Sequence, residues 1–222
     1  MSDQKILTPT EQYWSIMLAR AAKALDDNKF GVSIHQTAKE AAAHLVENML
    51  TLDWTGKVNF GGSASVLQSG VVDMLKTIPG ADIVPSYDPH MDKEEMIRLR
   101  REHFICDLYL CSSNAVSMDG KLLNVDGTGN RVASMTYGPR QVVLFVGRNK
   151  LCETFDVAVD RERNVASPIN NMRLNLPNPC VKAGRCMDCR SPRRICNYRV
   201  LTERSFPEKR IHVLLINEEL GF

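Results

Sequence analysis

The polar and apolar positions of the chain fall into blocks that alternate between helical and strand period. Thr8 with Glu11, and Thr37 with Glu40, each place a hydroxyl three residues before a Glu, the arrangement that satisfies the free N–H groups of a starting helix. Pro9 takes the first helical position, where its missing N–H costs nothing, and Ile16, Leu18, Ala19, Ala22 and Leu25 are spaced for a buried face. Residues 30–35 alternate as a short strand; residues 57–60 form another, followed by a Gly61-Gly62-Ser63 turn and a helix over 65–78. Residues 83–84 give a further strand, 92–103 a charged surface helix and 106–111 an apolar buried strand. In 115–138, Asp119-Gly120 and Asp126-Gly127-Thr128-Gly129 predict a tight-turned β excursion and a helix start near Gly129. A buried strand over 141–146, a helix over 154–163, a proline-rich loop over 175–207 and a last central strand over 211–216 complete the chain. Strands alternating with helices in this way predict an α/β fold, a mainly parallel sheet with helices on both faces.

With 222 residues, 44% of them hydrophobic and 24% charged, the chain reads as a single domain over 1–222 with one large core. No apolar run approaches the roughly 18 residues that cross a bilayer, so no membrane partner is expected. The first residues lack a basic, apolar, small-residue leader pattern, which points to the cytoplasm. Seven cysteines there read as thiols or metal ligands rather than disulfides. The net charge of +2 is uneven: residues 180–210 carry nine Lys and Arg against Asp188, Glu203 and Glu208, which leaves about −4 for the remainder. So local a cationic patch argues against a nucleic-acid partner, which needs a wide footprint, and for an anion, cluster or protein contact.

Three sets of residues carry chemistry. At Gly61, Gly62, Ser63 and Ser65, backbone N–H groups and hydroxyls can hold an anionic small molecule, and Thr128 and Lys150 can join them; the same residues serve equally as a Ser-capped strand-to-helix turn and a solvated lysine. Asp119, just past a buried strand, is a candidate catalytic carboxylate or simply the first residue of its turn, while Asn124, Asp126 and Asn130 follow on the same excursion. Cys180, Cys186, Cys189 and Cys196, spaced C-x5-C-x2-C-x6-C, supply four soft ligands in a Cys-rich metal-binding insert over 178–200, with Arg185, Arg190, Arg193 and Arg194 to screen the thiolate charge. The spacing lacks paired C-x2-C knuckles, which leans to an iron-sulfur cluster ([4Fe-4S]) over Zn. Cys106, Cys111 and Cys152 read as buried apolar residues. His35, His44, His90, His103 and His212 have no metal spacing.

The Gly61-Gly62-Ser63-Ala64-Ser65 turn, Asp119-Gly120 through Gly129, the Val-Gly-Arg-Asn-Lys run ending at Lys150, a Pro168-Ile169-Asn170-Asn171 turn and the closing VLLINEELGF together resemble the LUD domain family, lactate-utilization proteins of the LutC kind. That resemblance implies a three-layer α/β sandwich of the NagB/RpiA/CoA-transferase-like superfamily, with its site at the carboxyl ends of the strands. It also implies a lactate-oxidation component beside a redox protein partner or, alternatively, an enzyme of the sugar-phosphate isomerase or CoA-transferase type acting on an anionic substrate. The Cys-rich insert is absent from simpler members of the family.

Overall fold

The strands that alternation predicts form in the computed structural model, which describes residues 7–50, 53–84 and 91–222. His90 and the side chain of His103 lie outside the described residues. The strands are β1 (Gly31–His35), β2 (Gly56–Phe60), β3 (Ala81–Ile83), β4 (Leu108–Cys111), β5 (Ala115–Ser117), β6 (Leu122–Asp126), β7 (Gln141–Gly147), β8 (Leu151–Cys152), β9 (Tyr198–Thr202) and β10 (Ile211–Ile216). The helices are α1 (Pro9–Asp27), α2 (Ala38–His44), α3 (Ala64–Gln68), α4 (Val71–Leu75), α5 (Lys93–Glu102), α6 (Asn130–Thr136), α7 (Phe155–Arg161), α8 (Ser167–Arg173) and α9 (Pro179–Ala183).

A six-stranded sheet in the order β1-β10-β7-β4-β2-β3 is parallel throughout; β10, expected at the centre, lies inside the sheet but second from its edge, between β1 and β7. Because side chains alternate across a strand, its two apolar faces need two cores. Leu108, Leu110, Val143, Phe145, Leu214 and Ile216 face the layer of α2, α3 and α4, whereas Tyr109, Cys111, Val142, Leu144, Val213 and Leu215 face α1 and α6. The architecture is thus helix layer, sheet, helix layer. Thr8 and Glu11 form the reciprocal cap of α1, with Thr8 N–H donating to Glu11 Oε2 at 2.7 Å. Thr37 caps α2, but Glu40 reaches one residue further back, to the N–H of Gln36 at 2.9 Å.

Several expectations need correction. The buried stripe of α1 is Leu18, Ala21 and Leu25, and Ile16 is 61% exposed, since two residues from Leu18 is a 200° rotation to the far side. The helix expected over 65–78 is two short ones, broken where Gly70 takes φ +74°. The Pro168–Asn171 segment is not a turn: Pro168 lies within α8, which continues α7 through a π turn at Glu162–Ala166. The displaced ladder of that wide turn is where a residue without an N–H is tolerated. The loop expected over 175–207 contains α9 and also β9, which pairs antiparallel with β6 in a second sheet, β8-β5-β6-β9.

The Asp119-Gly120 turn joins β5 to β6 as predicted, with Gly120 at φ +78°. A Cβ there collides with the carbonyl oxygen of Ala24, so α1 lies directly on the turn. Gly120→Ala is expected to lower stability by about 2 kcal/mol or more, from left-handed strain plus the backbone collision, as read from urea unfolding.

Candidate functional site

Parallel pairing puts the carboxyl ends of β2, β4 and β7 on one edge. The chain reverses its order across the sheet between β2 and β4, since β3 is added on one side and β4, β7 and β10 on the other. A crevice is expected at that switch. A cleft of about 390 Å³ lies there, lined by Gly61, Gly62, Ser63 and Ser65 after β2, by Ser112 to Asn114 after β4, by Asp126 to Thr128 after β6, and by Lys150 after β7. Arg100, Arg173 and Phe222 close its sides. All six residues expected to bind an anion are therefore brought together.

Their roles differ. The Ser63 hydroxyl accepts from Val66 N–H to cap α3, Ser65 Oγ donates to the Leu220 carbonyl at 3.2 Å, and Thr128 Oγ1 donates to Asn130 Oδ1 at 2.7 Å. Ser65 and Thr128 thus spend their one O–H within the protein, whereas Ser63 accepts and keeps its O–H to donate. Lys150 is 3% exposed, and its ammonium donates to the main-chain oxygen of Phe222 at 3.0 Å. Burial, with Arg161 and Arg131 nearby, brings its pKa down to about 7. Lys150 and Arg161 donate to main-chain oxygens of Phe222, Asn149 and Asn114, and among the described residues neither is paired with an Asp or Glu side chain.

Arg131 was missed by sequence reasoning. Nε donates to Asp126 Oδ1 at 2.9 Å, Nη1 to Asn124 Oδ1 at 2.6 Å and to the Ser112 carbonyl at 2.8 Å, and Nη2 to Asn114 Oδ1 at 2.8 Å and the Val125 carbonyl at 2.9 Å. Asp126 Oδ2 accepts from Val132 N–H at 2.8 Å, so the one carboxylate of the cleft wall is committed twice. A lone arginine in the first turn of a helix carries no distinguishing pattern; the local signal was the surrounding DGTGNR run.

Residues 18–216 match the LUD domain. The chain belongs to the LUD domain family. A solved DUF162 family protein from Deinococcus radiodurans superposes with a TM-score of 0.53 at 11% identity, covering 92% of this chain and 98% of that one, a likeness of fold. No curated protein sequence matches.

In this LUD domain Asp119 lies at the opposite end of the β5–β6 hairpin from Asp126, outside the cleft lining, with its side chain 51% exposed. Burial alone raises its pKa, but hydrogen bonds from Ser117 and Lys121 outweigh that and hold it below the usual carboxylate value. The structure does not bring it to the anion-site residues. Cys106, Cys111 and Cys152 are buried, and burial pushes the first two thiols to about 11 and about 12.

Cys180, Cys186, Cys189 and Cys196 line one small separate cavity, with Glu162, Ser167, Arg163, Arg194 and Arg199. Burial raises the pKa of Cys180, and the proximity of Cys196, Cys189 and Cys186 raises it further. Of the four arginines expected to screen these thiols, only Arg194 lines the cavity; Arg163 and Arg199 supply the others. Glu162, wholly buried, accepts from Arg199 Nε and Nη2 at 2.9 and 2.7 Å and from Ser167 Oγ at 2.6 Å. Among the described residues no three His, Cys, Asp or Glu side chains stand close enough to grip a single ion.

Two substitutions separate scaffold from site. Arg131→Lys leaves several buried acceptors unpaired, and urea unfolding is expected to show a loss of roughly 3–5 kcal/mol. Lys150→Met should have the opposite sign. Because the folded pKa is depressed, the unfolded chain binds the extra proton; stability rises as pH climbs from about 7 towards 10.5, and the full penalty is present below 7. Removing the amine while keeping the stem is expected to stabilise the protein by about 2 kcal/mol near pH 6, with no gain near pH 11.

Proposed function

We propose that this LUD domain is an accessory component of lactate utilization that holds a small carboxylate or phosphate anion in the β2–β4 cleft. The observation that carries this reading is Lys150, buried after β7 with Arg131 and Arg161 near enough to act on it and, among the described residues, no Asp or Glu side chain paired with it. Leaving a cation so placed costs stability unless a ligand supplies the negative charge. The cleft, at about 390 Å³, falls in the range of small-molecule sites, and the family is associated with lactate utilization, whose substrate is itself a carboxylate. The basic face of residues 180–210 supports a protein partner, a redox protein being the class that lactate oxidation needs.

A second reading, an enzyme of the isomerase or CoA-transferase type, is favoured by one observation: an amine held at about 7 exchanges its proton near neutrality. In that case Lys150 is the base, because Asp126 is consumed by Arg131 and Asp119 lies elsewhere.

Calorimetric titration with L-lactate, pyruvate, inorganic phosphate and sulfate tests the cleft. Binding of at least one is expected, weakened roughly 10- to 100-fold by Lys150→Met, the worth of one charge-assisted contact. Sulfate, which does not titrate here, should bind more weakly as pH rises through about 7 and the amine loses its charge. Gly62→Val places its branch where a Cβ meets nothing within 4 Å, so the fold should survive while the cleft narrows and affinity falls. An anion bound equally well by the Lys150→Met protein sinks the assignment.

A further inference from the structure

We propose that Cys180, Cys186, Cys189 and Cys196 are the four ligands of a cubane iron–sulfur cluster, four irons bridged by four sulfides, seated in their shared cavity. The inference goes beyond the anion cleft and stands without it.

The first support is what orders the segment. From residue 181 to residue 197 no side chain is fully buried, so apolar burial does not hold this stretch in place. It is tied to the body by scattered polar bonds: Cys186 N–H to Asn164 Oδ1 at 3.2 Å, Asn178 Nδ2 to the Arg193 carbonyl at 2.8 Å, and Asn197 Nδ2 to the Gly127 carbonyl at 3.0 Å. Yet it brings four thiols from α9, two loop positions and the entry to β9 onto one cavity. Ligation to a common group is the interaction that repays such ordering.

The second support is size, which separates two metal chemistries. Zinc holds each thiolate sulfur about 2.3 Å from the ion, a distance at which four sulfurs leave no room for a water molecule between them. The cavity here measures about 20 Å³, and about 10–15 Å³ suffices for one water-sized sphere. The thiols accordingly stand back from the centre, which agrees with the finding that no three of them are poised on a single ion. A cubane core needs its ligands set back in this way, because its own irons and sulfides lie between the thiolates.

The third support is the surroundings of the sulfurs. Asp188 N–H donates to Cys186 Sγ at 3.4 Å across the C-x2-C turn, and Arg163 hydrogen-bonds the same sulfur. Donors to sulfur of this kind stabilise thiolates and clusters. Arg194 adds positive charge at the wall, while Arg199 is balanced there by Glu162.

Protein purified under anaerobic conditions should contain about four irons and four acid-labile sulfides per chain, with visible absorption that dithionite bleaches. Cys189→Ala and Cys196→Ala should each lower iron to background and expose Arg185, Arg190 and Arg193 to trypsin, whereas Cys152→Ala, which removes a buried thiol outside the cavity, should retain the iron. One zinc per chain without sulfide, no metal in the wild-type protein, or full iron in Cys189→Ala overturns the proposal. The wild-type metal content decides the matter even if a cysteine variant fails to fold. The two sites fail separately: Lys150→Met should lose the anion and keep its iron, and Cys189→Ala should lose iron and keep the anion.

Discussion

The side chain of Arg131 joins the exit of β4, the whole end of β6 and the first turn of α6, because each of its five N–H groups meets an acceptor on one of those stretches. This single guanidinium fixes the distance between the six-stranded sheet and the β5–β6 hairpin, and hence the width of the cleft. α6 begins on Gly129 with no side-chain cap of its own; Asp126, held by Arg131, supplies the missing acceptor to Val132 N–H and a negative charge at the helix start. Loss of the arginine leaves buried Asn124 and Asp126 facing one another with nothing to share. Because its donors are all taken, Arg131 shapes the field of the cleft and does not reach for a ligand.

The field it contributes explains the position of Lys150. Three cationic side chains meet here, Lys150 after β7, Arg161 on α7 and Arg131 on α6, and the Asp126 side chain beside them is spoken for by Arg131. A fold selected for stability alone replaces Lys150 by an apolar residue, since its buried charge is penalised at neutral pH. Residues Leu220 to Phe222 pass across this end and are fastened by Gln68, Asn149 and Ser65. They cover the amine from one side and leave the cleft open on the other.

What the sequence revealed follows from the reach of each signal. The strands of the parallel sheet were legible because they are apolar on both faces, and residues 106–111, 141–146 and 211–216 read as continuous runs. The Asp119-Gly120 turn was legible because positive φ nearly demands glycine. β9 was not: four of its neighbours in the proline-rich stretch are cysteines or arginines, its own residues are mostly exposed, and its pairing with β6 lies more than seventy residues away in sequence. Pro168 misled because a π turn, which has no sequence signature, makes room for it. At the cleft, glycines and serines announced the loop, while the decisive features of Lys150, its burial and its arginine neighbours, are set by tertiary packing alone. Asp119 looked catalytic by its place after a buried strand; the hairpin's direction carries it away from the strand ends where the cleft forms.

The cleft and the thiol cavity share a wall. Ile195 lines both, and its backbone lies against Gly127, where a Cβ comes within 3.3 Å of Ile195 Cα. Cys196 follows it in sequence, and Asn197 N–H then donates to the Asp126 carbonyl at 3.0 Å. One short stretch of chain therefore touches the thiol cavity at Cys196, the cleft at Ile195 and the Arg131 hub through Asp126. The π turn is the other link: Glu162 within it anchors Arg199 and Ser167 beside the thiols, while Arg161, the residue before it, donates to the Asn149 carbonyl behind Lys150. Ile195 thus stands between the two cavities, packed against Gly127 and followed directly by Cys196.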